Sequence, residues 1–140
     1  KKNWLVERIL TLGINDNLTF SKELFDKWNI QDLEILEEKR SYIKELILSF
    51  LLYYRDLLVC KTGENDLPLH YRDWKEALVS KSKSLSEDLL FRIINVIKTS
   101  LEHLDRNANI ALLLENMITK ILHLQFGYRI PSLQGHFFIR

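Results

Sequence analysis

The sequence has 140 residues, of which 46% are hydrophobic and 28% charged, and it contains only four Gly and two Pro. This composition excludes a disordered or fibrous chain, and a domain of this length buries roughly 70% of the surface that its unfolded chain exposes. The scarcity of Gly and Pro argues against an all-β fold, because tight turns depend on them. Leu, Ile, Lys and Glu favour helices. We therefore predict one all-α domain.

Charge and cysteine content point to no particular partner. Lys and Arg number 20 and Asp and Glu 19, so the formal charge of +1 does not indicate nucleic acid or an anionic membrane. Cys60 is the single cysteine, which makes a reduced intracellular compartment the simplest interpretation. The most apolar stretch, residues 46–54, is well short of the roughly 20 residues of a membrane span. The start at Lys1, without Met or a signal core, suggests a fragment of a longer protein.

Helices can be followed along the chain by the spacing of apolar residues and by the residues that end them. Residues 4–12 and 20–28 are predicted as two short helices. A long helix of about 30 residues is expected from about Asp32 to Lys61, because neither Gly nor Pro interrupts it. Gly63 follows where the end of a helix favours a residue with positive φ.

The second half of the chain predicts three further helices. A loop after the long helix leads to a helix at residues 71–81. Ser84 with Glu87 matches a capping box, in which the serine side chain begins a helix, and this helix is predicted to run to about Asp105. The last helix is predicted to end near Leu124.

The break between the last two helices contains Asn107 and Asn109, which we expect to act as structural caps because Asn side chains accept hydrogen bonds from free helix amides. Taken together, the segments predict an all-α bundle of five or six helices around one long central helix. Residues 1–124 would form a single domain, and residues 125–140 a C-terminal tail.

The long helix has apolar residues on two sides. Its back carries a narrow stripe of Leu48, Leu52 and Val59, opposite the broad face expected to enter the core. Such a helix is either central in its bundle or offers its second side to a partner. Arg55 and Asp56 flank the stripe, where they are either ordinary solvated charges or pair with charges of a partner.

Two further apolar residues lie on helix faces that are otherwise polar. Phe91 falls among Lys98 and Glu102, and Leu112 among the outward residues of the last helix. Single exposed apolar residues are common on protein surfaces. Phe91 and Leu112 are therefore either isolated exposed side chains or contacts with a partner.

No pattern of residues in the sequence indicates catalysis, a metal or a cofactor. The four glycines are too scattered for a phosphate-binding loop, and the basic residues are diluted by acidic neighbours. A zinc helix would need two His at close helical spacing, which is not found among His70, His103, His123 and His136. We expect a non-enzymatic chain with no catalytic, cofactor-binding or metal-binding residue.

Two stretches carry a family resemblance. Residues 50–58 read FLLYYRDLL and are followed by Lys61-Thr62-Gly63; residues 104–122 read LDRNANIALLLENMITKIL, with two asparagines, apolar residues and then Glu115. In this order and spacing, they resemble the long-helix signature and closing pattern of the carboxy-terminal domain of the delta-prime family of bacterial clamp-loader subunits. The resemblance covers roughly residues 40–124, and the tail departs from the pattern.

The resemblance implies a helical collar domain that joins the other clamp-loader subunits during DNA replication in the bacterial cytoplasm. DNA and the sliding clamp would be contacted only indirectly, with no cofactor and no membrane. A surface of this kind would use Leu48, Leu52, Arg55, Asp56, Val59, Phe91 and Leu112 as its subunit interface. Two alternatives remain open at this point: the equivalent collar domain of the ATPase subunit of the same complex, and a free-standing helical nucleic-acid-binding module.

Overall fold

A computed structural model describes residues 2–12, 20, 22–24, 26, 36–63, 68–106 and 109–127. These residues contain helices and no strand, which confirms the all-α class. Residues 20, 22–24 and 26 are helical, within the segment predicted as the second short helix. The other helices are α1 (Lys2–Leu10), α2 (Leu36–Thr62), α3 (Lys75–Ser82), α4 (Glu87–Leu104) and α5 (Ile110–Phe126), with a 3₁₀ turn at Arg72–Trp74 before α3.

The ends of α2 and α5 are both set by glycine. Gly63 has φ +74°, and its amide donates a hydrogen bond of 3.2 Å to the Val59 carbonyl, as predicted for the end of the long helix. The predicted start of α2 at Asp32 lies outside the described residues. Helix α5 runs to Phe126 rather than Leu124, because Gly127, with φ +61°, is the first residue there that readily adopts a left-handed conformation. The first two residues assigned to the tail thus belong to α5, and residues 128–140 lie outside the described part.

The N-cap of helix α4 lies two residues later than predicted, so the capping box predicted for Ser84 with Glu87 was wrong. Its N-cap is Ser86, whose hydroxyl accepts a hydrogen bond of 3.1 Å from the Leu89 amide. The Ser84 hydroxyl instead donates to the Lys81 carbonyl. Leu85, just before the cap, and Leu90, in the first turn, are both buried in the same core cluster, an arrangement typical of a hydrophobic staple. Burial of Leu85 therefore favours the later serine.

The corrected cap gives a direct test. Ser86→Ala removes the hydroxyl that accepts from the first turn of α4 and should lower the free energy of unfolding by about 1 kcal/mol. Ser84→Ala is the matched control and should change it by less than about 0.5 kcal/mol, because Ser84 is exposed. Urea unfolding followed by circular dichroism measures both. A larger loss of unfolding free energy for Ser84→Ala than for Ser86→Ala would mean that Ser84 is the N-cap.

The hydrophobic core lies between α2 and the helices that contact it. Helix α2 contacts α3, α4 and α5, and α4 contacts α5. The core side of α2 repeats at the three- and four-residue spacing of a helix face, and its fully buried residues include Ile43, Leu46, Ile47, Phe50, Tyr53, Tyr54 and Leu57. Phe20 lies against Phe50 with ring centroids 6.0 Å apart, so the N-terminal part of the chain joins the same core.

Two arginines connect segments that are distant in sequence. Arg8 in α1 binds both carboxylate oxygens of Glu23, at 2.7 and 3.2 Å, and its guanidinium lies over the Phe20 ring. Arg40 in the first turns of α2 donates to the carbonyl of Leu104, the last residue of α4. A cation at that position also interacts favourably with the negative end of the helix dipole. The Arg40 contact holds the start of α2 beside the end of α4.

Candidate functional site

The predicted stripe on the back of α2 is exposed only in part. We call the side of α2 that carries Leu48, Leu52, Arg55 and Val59 its outer face. Leu48 is 38% exposed, whereas Leu52 and Val59 are half-buried, and Leu52 also packs against the core. The side chains of Leu48, Leu52 and Val59 therefore do not form one continuous exposed stripe. Only the part nearest Leu48 is open to a partner.

Asp56 was predicted to be either an ordinary solvated charge or a charge that pairs with a partner. Its burial contradicts both alternatives. Its side chain is 0% exposed. One carboxylate oxygen accepts from the His70 amide at 3.0 Å, and the other accepts from the Tyr71 amide at 2.8 Å. Arg55 lies 3.0 Å from the same carboxylate. These contacts satisfy the buried charge within the chain, so Asp56 is a structural residue and not part of a subunit interface.

Arg55 takes part in the same internal arrangement. Besides its ion pair with Asp56, its guanidinium donates a hydrogen bond of 2.8 Å to the Pro68 carbonyl. Arg55 and Asp56 thus hold residues 68–71 against α2. We call this set of contacts the α2 anchor. Leu52 and Val59 lie one turn before and one turn after Arg55 on α2.

Tyr71 makes two hydrogen bonds to α2. Its amide bonds to Asp56, and its hydroxyl donates to the Ser49 carbonyl at 3.1 Å. Positions 49 and 56 are two helical turns apart, about 10 Å along the axis, so the Tyr71 side chain lies along α2 beside the turn that carries Leu52. Burial raises the pKa of the Tyr71 hydroxyl, and the negative charge of Asp56 acts in the same direction.

The turn before α3 begins without a side-chain cap of its own. Tyr71 and Trp74 occupy the N-cap positions of the 3₁₀ turn and of α3, and neither side chain makes a capping hydrogen bond. The Asp56 carboxylate binds the amides of His70 and Tyr71, just before this turn, so its negative charge lies at the end of the turn where it is favourable.

Phe91 and Leu112 are the two most exposed large apolar residues described. Phe91 is 58% exposed near the start of α4, and Leu112 is 48% exposed near the start of α5. The two helices pack together and are joined by the short connection 105–109, which indicates an antiparallel pair. Their first turns therefore lie at opposite ends of the pair, so Phe91 and Leu112 do not share one patch.

The capping prediction is confirmed for one of its two asparagines. Asn109 is the N-cap of α5, and its side-chain oxygen accepts from the Leu112 amide at 3.0 Å. Asn107 lies outside the described residues. The Asn109 cap fixes the first turn of α5, which carries the exposed Leu112.

Two neighbouring tyrosines in the core differ in how their hydroxyls are satisfied. Tyr54 donates to the Gln125 side-chain oxygen at 2.8 Å, whereas the Tyr53 hydroxyl is buried and has no hydrogen-bond partner in the described part of the chain. Burial raises the pKa of both hydroxyls, so both rings are neutral. A buried hydroxyl without a partner lowers stability.

This difference predicts opposite effects of removing each hydroxyl. Tyr54→Phe should cost about 1 kcal/mol of unfolding free energy, because Gln125 loses its donor. Tyr53→Phe should be neutral or stabilising, because it removes a desolvated hydroxyl and leaves the ring in place. Thermal and urea unfolding of both variants provide the comparison. A loss for Tyr53→Phe as large as for Tyr54→Phe would contradict this assignment of the two hydroxyls.

The Cys60 thiol and possible metal ligands are the chemical groups of interest among the described residues. Burial and the nearby Asp56 raise the pKa of the Cys60 thiol, while Lys75 acts in the opposite direction, so the thiol stays protonated and is a weak nucleophile. No group of three or more His, Cys, Asp or Glu in these parts of the chain could hold a metal ion. None of the helices described is long and apolar enough to cross a membrane.

Comparison of the chain with models of known families, with curated proteins and with solved structures finds no match. The resemblance to the clamp-loader domain therefore depends on the two sequence segments alone.

Proposed function

We propose that this chain is a non-catalytic collar domain of a bacterial clamp-loader subunit of the delta-prime type, which joins other subunits of the loader during DNA replication in the cytoplasm. The observation that carries the proposal is Leu48, exposed on the outer face of α2. Helix α2 contains residues 50–58, the first segment of the resemblance. An interaction domain needs an apolar residue that its own core leaves uncovered.

The proposal includes α2 as the central helix of a five- or six-helix bundle. Its contacts with α3, α4 and α5, together with the contact between Phe20 and Phe50, support this arrangement. In a collar, each subunit has neighbours on two sides. Leu48, Phe91 and Leu112 lie on three different helices, so they offer apolar contacts in more than one direction.

We restrict the proposed interface to the exposed part of the predicted set of residues. Leu48 is its main residue on α2, with the exposed part of Leu52 beside it. Arg55 is paired within the chain and Asp56 is buried, while Val59 is half-buried and lies beyond them on α2. A neighbouring subunit would therefore contact the N-terminal half of the outer face.

A charged substitution at Leu48 tests the proposal. In the full-length protein, Leu48→Asp places a charge in a desolvated contact and should weaken binding to the partner subunits by about a hundredfold or more. The melting temperature of the 140-residue chain should change little, since Leu48 is exposed. The measurements are a quantitative pull-down with the partner subunits and a thermal melt of the variant.

Thr99→Asp is the matched control, because it adds the same charge at an exposed position of α4 and should leave both measurements unchanged. Normal binding by Leu48→Asp would exclude the outer face of α2 as the subunit contact. Tight and steeply salt-dependent DNA binding by the chain alone would favour a nucleic-acid-binding module instead. A phosphate-binding loop upstream in the full-length protein would assign the domain to the ATPase subunit.

A further inference from the structure

No further inference is drawn: the strongest candidate, the exposed part of the α2 outer face where Leu48 lies between Lys44 and Glu45, belongs to the contact surface already proposed, and nothing in the structure shows what covers it.

Discussion

Asp56→Ala is expected to lower the free energy of unfolding by about 3 kcal/mol, because two backbone donors and a guanidinium lose a buried acceptor at once. The amides are those of His70 and Tyr71, and the guanidinium is that of Arg55. The loss should be concentrated around residues 68–71, where hydrogen exchange of the two amides should speed up more than exchange in α4. Urea unfolding measures the global loss, and hydrogen exchange measures the local one.

Two variants sharpen this measurement. Asp56→Asn keeps one acceptor oxygen but turns an amide group toward one of the two donors. It should therefore lower the free energy of unfolding, but by less than Asp56→Ala. Asp73→Ala removes a carboxylate from the exposed 3₁₀ turn and should change stability by less than about 0.5 kcal/mol. If Asp56→Ala were as mild as Asp73→Ala, the carboxylate would be solvated and the α2 anchor would not exist.

Ile47→Ala should cost about 2 to 5 kcal/mol, whereas Leu48→Ala at the next position should cost less than about 1 kcal/mol. Ile47 is fully buried, so its truncation leaves a cavity in the core. Leu48 is exposed, and alanine favours the helix at that position. Chemical unfolding of the two variants, with circular dichroism as the signal, gives both values.

The comparison uses adjacent residues of one helix, so differences in helix length or position cannot explain the result. Equal losses would mean that α2 is buried on both sides, and Leu48 would then be a core residue. A loss confined to Ile47→Ala would locate the core on one side of α2 and leave Leu48 free for a partner.

Most of the fold could be predicted from local signals. Apolar residues at helical spacing indicated the helices, and Gly63 marked the end of α2 because only its backbone readily takes a positive φ there. The choice between Ser84 and Ser86 was less accessible. Both serines are chemically able to cap α4, and the decision depends on the burial of Leu85 in a core that the local sequence does not specify.

The candidate site was predicted less well, because its form depends on contacts between distant segments. Helical spacing correctly placed Leu48 on the outside of α2, and it also placed Asp56 near that side. Residues 68–71 then return over α2 and bury the Asp56 carboxylate. The spacing of apolar residues within α2 contains no information about a distant segment that packs against the helix. A charged residue at a subunit interface and a buried charged residue such as Asp56 therefore have the same pattern in sequence.

The hydrogen bonds of the structure differ widely in the length of chain that they enclose. The bonds from Asp56 to residues 70 and 71 join positions 14 and 15 apart, while Tyr54 and Gln125 are 71 apart and Arg40 and Leu104 are 64 apart. Closing a short loop costs less chain entropy than closing a long one. The contact between α2 and residues 68–71 can therefore form early in folding. The bonds that bring Leu104 and Gln125 to α2 enclose several helices, so closing them costs more chain entropy.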